Sequence, residues 1–285
     1  MIIGALWLAL ALLGGCSAVR FAYNQAPDLT YWWLDSYVDF DDAQTPRVRD
    51  AIDAWFAWNR RTQLADVAAL LTRTQAQMAQ PTTPAQVCQL VDDVSARFEA
   101  AVDHALLLMA PTVRTFTPQQ LAHMEHKYAK NNEAYEHDFL QADAAERLEA
   151  SVQRVVDRAE LVYGSLSEAQ RERLKRGVAE SPFDAEQWGM ERKRRQQETL
   201  QTLRRLTAER ASPEATTLAL KMLYEHTMRS PREAYRDYQE RLRQYNCVLA
   251  AQMHNLSTPE QRQRAAARLK GWADDLRSLA ADAAP

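Results

Sequence analysis

Five short stretches of this chain carry the same instruction, which is to start a helix. They are Thr83-Pro84-Ala85-Gln86, Thr117-Pro118-Gln119-Gln120, Ser167-Glu168-Ala169-Gln170, Ser212-Pro213-Glu214-Ala215 and Thr258-Pro259-Glu260-Gln261. Each opens on Ser or Thr, whose hydroxyl accepts from a backbone N–H that the first helical turn leaves free. Four carry Pro at the first helical position, where its missing N–H costs nothing. Four carry Gln three residues after the cap, and that amide reaches back to the cap's own N–H. The starts lie 34, 50, 45 and 46 residues apart. Such spacing suits helical hairpins rather than the fixed period of a solenoid.

The segments behind these starts hold helical period. One stripe is Val87, Val91, Val94, Phe98, Ala101, Ala105 and Met109. Another is Leu148, Val152, Val155, Ala159 and Val162. A third is Tyr235, Tyr238, Leu242, Tyr245, Leu249 and Leu256, and the last is Ala265, Leu269, Trp272, Leu276 and Leu279. Glycine is scarce: 7 residues, three of them (Gly4, Gly14, Gly15) in the first fifteen. That argues against a dinucleotide-binding turn, a P-loop or a hairpin-rich β fold. The expected fold is all-α, an antiparallel helical bundle or hairpin array of about eight or nine helices, many of roughly 20 to 27 residues. Gly164 and Ser181-Pro182 read as turns, not linkers.

Residues 2–15, IIGALWLALALLGG, carry no charge. At 14 residues the run is too short to cross a bilayer comfortably. Leu13-Gly14-Gly15-Cys16 resembles the bacterial lipobox. The resemblance implies diacylglycerol on the Cys16 thiol, a further palmitate-like chain on its amine, and cleavage before it. Residues 1–15 are then a signal peptide, 16–46 a tether with an aromatic segment, and 47–285 a helical body. Ser17 rather than Asp after the cysteine points to the outer membrane, facing the periplasm. Two or more acyl chains anchor a protein stably, each buried methylene contributing about 0.8 kcal/mol. The rest of the chain, 46% apolar and 26% charged overall, reads as globular. A formal net charge of −3 argues against nucleic acid as a partner.

Few residues read as chemistry. There is no Gly-x-Ser-x-Gly, His-Glu-x-x-His or Cys-x-x-Cys, so no catalytic residue, cofactor or metal ligand is assigned and a non-enzymatic protein is expected. His123, His126 and His137 fall on the polar face of one helix, as solvated residues or as a weak metal or pH-responsive site. Asp92-Asp93 and Asp274-Asp275 diverge by about 100° on their helices and read as surface charge. The basic run Glu191-Arg192-Lys193-Arg194-Arg195 reads as a solvated helix or as a contact for an anionic partner. Asp28 reads as the cap of a short helix within an aromatic stretch that includes Tyr31, Trp32, Trp33 and Tyr37. These four form either a latch on the body or an interaction surface at headgroup depth. Once Cys16 is acylated, Cys88 and Cys247 remain in an oxidising compartment, as a disulfide or as two buried thiols.

Arg20, Tyr23-Asn24, the run Trp32-Trp33-Leu34-Asp35-Ser36-Tyr37, a helix with Trp55, Trp58 and Arg60-Arg61, and the capped helices that follow resemble the DUF6279 family of bacterial lipoproteins. The family pattern leads one to expect a His-Arg and a Glu-Leu-Pro where this chain has Asn59-Arg60-Arg61-Thr62-Gln63-Leu64. The resemblance implies no activity. Leu166-Ser167-Glu168-Ala169-Gln170 and Leu256-Ser257-Thr258-Pro259-Glu260-Gln261 are similar to helix starts in periplasmic proteins of the Spy and CpxP type, which are far shorter. Together these readings imply an envelope lipoprotein held to the membrane through Cys16. It would bind an envelope protein or an unfolded client in a chaperone-like way, or serve as a structural or assembly lipoprotein of an envelope complex.

Overall fold

The computed structural model describes residues 18–282, so the apolar run 2–15 and Cys16 lie outside the described residues. Among the described residues there are eleven helices and no strand. They are α1 Ala18–Val38, α2 Gln44–Thr62, α3 Leu64–Gln77, α4 Pro84–Val113, α5 Pro118–Phe139, α6 Ala144–Tyr163, α7 Glu168–Ala179, α8 Ala185–Ala208, α9 Pro213–Met228, α10 Glu233–Asn255 and α11 Pro259–Ala281. The all-α expectation holds, while eight or nine was too few. Part of the difference lies at Gln63. It separates α2 from α3 with φ −109° and ψ −39°, and backbone bonds run through it on both sides. Neither Gly nor Pro marks that break.

The amino-terminal aromatic stretch also differs from its reading. α1 begins at Ala18 and runs through Pro27, although an internal proline forfeits a backbone bond and costs about 3 kcal/mol. Packing offsets this: Tyr23, Ala26, Tyr31 and Leu34 lie against Val48, Ile52 and Phe56 of α2. Asp28 is therefore mid-helix rather than a cap, and its carboxylate pairs with Arg49 at 3.0 Å. α1 ends at Val38, and Asp39 after it takes the left-handed region (φ 59°) that an aspartate tolerates better than most residues.

All five sequence-marked helix starts are capped by their Ser or Thr. The glutamines of these caps also reach beyond their own helices. Gln170 Nε2 donates to Gln261 Oε1 at 2.7 Å, and Gln261 Nε2 donates to Gln170 Oε1 at 3.0 Å. Each amide also donates to a backbone carbonyl beside the other's cap, Leu256 and Ser165 respectively. Gln120 of the α5 cap forms a similar pair with Gln44 at the start of α2.

The helices bury three apolar clusters. One joins Val38, Val113, Phe116, Leu121, Met124, Leu200 and Leu203, and the second joins Val156, Leu166, Leu174 and Met253. The third is the α1–α2 contact. α3 and α11 form the most extensive helix pair, with Ala68, Ala265 and Ala273 fully buried. α7 approaches α10 over Gly177. A Cβ there would stand 2.3 Å from Leu249 Cδ1, and the Gly177 carbonyl accepts from Tyr245 Oη at 2.7 Å. Cys88 of α4 and Cys247 of α10 are joined by a disulfide with Cα atoms 5.5 Å apart.

Candidate functional site

Two surfaces and one buried charge cluster stand out. The first surface lies on α4, thirty residues and about 45 Å long. α2 covers its carboxy-terminal half: Trp55 Nε1 donates to Ala101 O at 2.8 Å, Trp58 stacks on His104, and Met109 joins the α1–α2 cluster. α10 lies along another side through the disulfide and the Arg243–Asp92 ion pair. The apolar stripe is left open at its amino-terminal end, where Val91, Val94 and Phe98 are 43%, 52% and 57% exposed. Periodicity finds an apolar face but does not say that a partner covers it. Leu256, placed in the α10 stripe, is likewise exposed.

The second surface is the outer face of α1. Of the four aromatic residues expected there, the structure separates two pairs. Tyr31 turns inward, bonding Thr45 Oγ1 at 3.1 Å with Arg49 over its ring, and Tyr37 packs on Tyr128 and accepts from Asn131. Trp32 and Trp33 face outward, 67% and 51% exposed, with Phe21 and Leu29 beside them.

The charge cluster sits on the basic run, for which the sequence offers a solvated helix or a contact for an anionic partner. Glu191 is completely buried. Arg194 reaches its Oε1 at 2.8 Å, and Arg195 and Arg232 each approach its carboxylate at 3.5 Å. Burial pushes this carboxyl up. Hydrogen bonding by Arg194 and Ser230 and the charges of Arg194 and Arg195 more than offset that, so it stays below the usual carboxylate range. Arg194 also bonds Glu198, which accepts His226 Nδ1 at 2.5 Å. Glu198 is held low in the same way: burial raises it, and His226 and Arg194 outweigh burial. Arg194 and Arg195 therefore turn toward the buried Glu191, and Arg194 also toward the half-buried Glu198, rather than outward. Above the cluster a cleft of about 260 Å³ is walled by Tyr37, Tyr128 and Trp188 and edged by Arg192, Arg195 and Gln196. Arg192 is engaged there, its Nε donating to Asn132 at 3.0 Å.

The remaining singled-out residues are ordinary. His126 and His137 are exposed, but His123 is half-buried against α1, its Nε2 3.4 Å from Ser36 O. Asp274 is paired with Lys270 and Arg277 near the surface. Asp275 is buried instead, and burial pushes its carboxyl up. A histidine not singled out, His254, is buried between Tyr163 Oη (2.9 Å) and the Gln80 carbonyl (2.8 Å). A carbonyl only accepts, so Nε2 donates to Gln80, while Nδ1 and the Tyr163 hydroxyl share the other bond. Burial raises that tyrosine to about 12. Among the described residues no group of three or more His, Cys, Asp or Glu is placed to hold a metal ion, and no helix is long and apolar enough to cross a membrane.

These features define an all-helical, disulfide-tied protein with apolar helix faces open to solvent. The chain belongs to the family described as a family of unknown function (DUF6279), whose pattern matches residues 36–221. That match takes in α2 to α8 and the first half of α9, and leaves α10, α11 and most of α1 outside it. No curated protein and no solved structure matches the chain.

Proposed function

We infer that this is an envelope lipoprotein, anchored through acylated Cys16 on the periplasmic side of the outer membrane, and that its helical body binds other macromolecules without catalysing a reaction. Its helices pair as antiparallel hairpins, and the partner is an unfolded or partly folded envelope client, held in a chaperone-like way. One observation carries the reading: Val91, Val94 and Phe98 form a helical stripe exposed on α4. An apolar row of this kind meets water unless a partner covers it. It offers side-chain contacts but no chemistry specific to one sequence, which suits varied clients.

The test is photocrosslinking in intact cells from a photoreactive residue at position 94, with mass spectrometry of the adducts. Many different envelope proteins, increasing under unfolding stress, are expected. A single adduct of fixed stoichiometry would replace this reading with that of an assembly lipoprotein in one complex.

A further inference from the structure

The outer face of α1 lies unusually close to the anchor. Only Ser17 stands between Cys16 and the first residue of α1. Two residues span at most about 7 Å however they are arranged. The amino-terminus of α1 is therefore held within that distance of an acylated Cys16, with no linker to lift the body from the bilayer.

The side chains near that point are divided by face. At 100° per residue, Phe21, Leu29, Trp32 and Trp33 share an arc of about 120°. They are 62%, 46%, 67% and 51% exposed. Tyr23, Tyr31 and Leu34 occupy the opposite arc, Ala26 stands at the border beside Trp33, and all four pack on α2. Phe21 and Trp32 stand about 16 Å apart along the axis. Both reach one flat surface only if α1 lies along it. Tryptophan favours the depth of lipid headgroups, where its ring meets hydrocarbon and its N–H stays wet.

We propose that α1 is a bilayer-docking helix that lies flat on the membrane surface, with Phe21, Leu29, Trp32 and Trp33 seated in the headgroup region. The anchor and this face then fix the orientation of the body, whereas an anchor alone leaves it free to tumble. The proposal rests on the lipoprotein reading, and the two are separable.

The experiment uses the full-length protein purified from membranes and reconstituted into phosphatidylethanolamine–phosphatidylglycerol vesicles containing brominated phosphatidylcholine. Bromine quenches tryptophans that enter the bilayer. The mature chain has four others, Trp55, Trp58, Trp188 and Trp272, so the wild type is compared with the Trp32→Phe/Trp33→Phe variant. Both replaced side chains are exposed, and an unchanged melting temperature confirms an intact fold. Intact mass of the same sample reports acylation. The expected result is an acylated wild type with clear quenching and a variant that loses most of the quenchable emission. Acylated protein without quenching, or with equal fractional quenching in both forms, overturns the docking helix and leaves the anchor standing. Unacylated protein whose Trp32 and Trp33 are quenched on vesicles supports the helix and refutes the anchor. Unacylated and unquenched protein refutes both.

Discussion

At the scale of single residues the fold turns on a few buried polar groups and the charges gathered around them. Glu191 is the clearest. Its folded carboxyl is held below the usual range, so the stability it contributes is fully present above its unfolded value and is lost as pH falls through the folded one. Glu198, also held low, acts in the same window. The wild type should therefore lose stability as pH falls below about 5. Glu191→Gln keeps the shape and removes the charge facing Arg194, Arg195 and Arg232. It should cost on the order of 3 kcal/mol at neutral pH, because it leaves the partly buried Arg194 and Arg195 without their shared carboxylate, and flatten the acid limb. Thermal unfolding at a series of pH values measures both, and an unchanged acid limb in the variant would count against the cluster. Gln170 makes a finer point. Gln170→Glu keeps the acceptor that completes its own cap but loses the N–H that donates to Gln261 and to the Leu256 carbonyl. It should cost more than Thr258→Ala, a simple cap loss of about 1 kcal/mol. Equal costs in denaturant unfolding would mean that the paired amides add nothing.

At the scale of elements, what the sequence makes legible is where helices begin. Ser or Thr, Pro and Gln act on neighbouring backbone, and local chemistry leaves a local signature. α1 was less legible. Asp28 looks like a helix cap, and the packing of Tyr23 and Leu34 on α2 carries the helix across it and Pro27. The break at Gln63 carries no signal, since the residue keeps near-helical angles and ordinary helix formers flank it. The apolar stripe of α11 is core at Ala265, Leu269 and Leu279, whereas that of the first half of α4 is open. The two stripes look alike in sequence because periodicity records an apolar face and not its partner. The charge cluster was hidden for a related reason. Glu191 heads a run of four basic residues, and its burial depends on α9 and α10 meeting around Ser230 and Arg232, some forty residues later.

At the scale of the whole molecule, contacts distant in sequence decide how the helices stay together. The Cys88–Cys247 bridge spans 159 residues and ties the free end of α4 to α10. By loop-closure entropy such a bridge stabilises by up to about 5 kcal/mol. Reductant, or the Cys88→Ala/Cys247→Ala pair, should lower the unfolding midpoint in denaturant without removing helical circular dichroism. A midpoint insensitive to both would mean that packing alone holds α4 in place. If α4 is held this firmly, its open face is a fixed feature of the surface rather than a region waiting to collapse.

That gives the binding account its most direct test. Val94→Ser/Phe98→Ser changes only exposed side chains and should move stability by less than about 1 kcal/mol. The measurement is light scattering from a denatured, aggregating model client diluted into purified wild-type or variant protein. The account predicts that the wild type suppresses scattering near equimolar ratio and that the variant, with an unchanged melting temperature, largely fails to. A variant that suppresses scattering as well as the wild type would contradict the claim that the exposed α4 stripe is the client-binding surface.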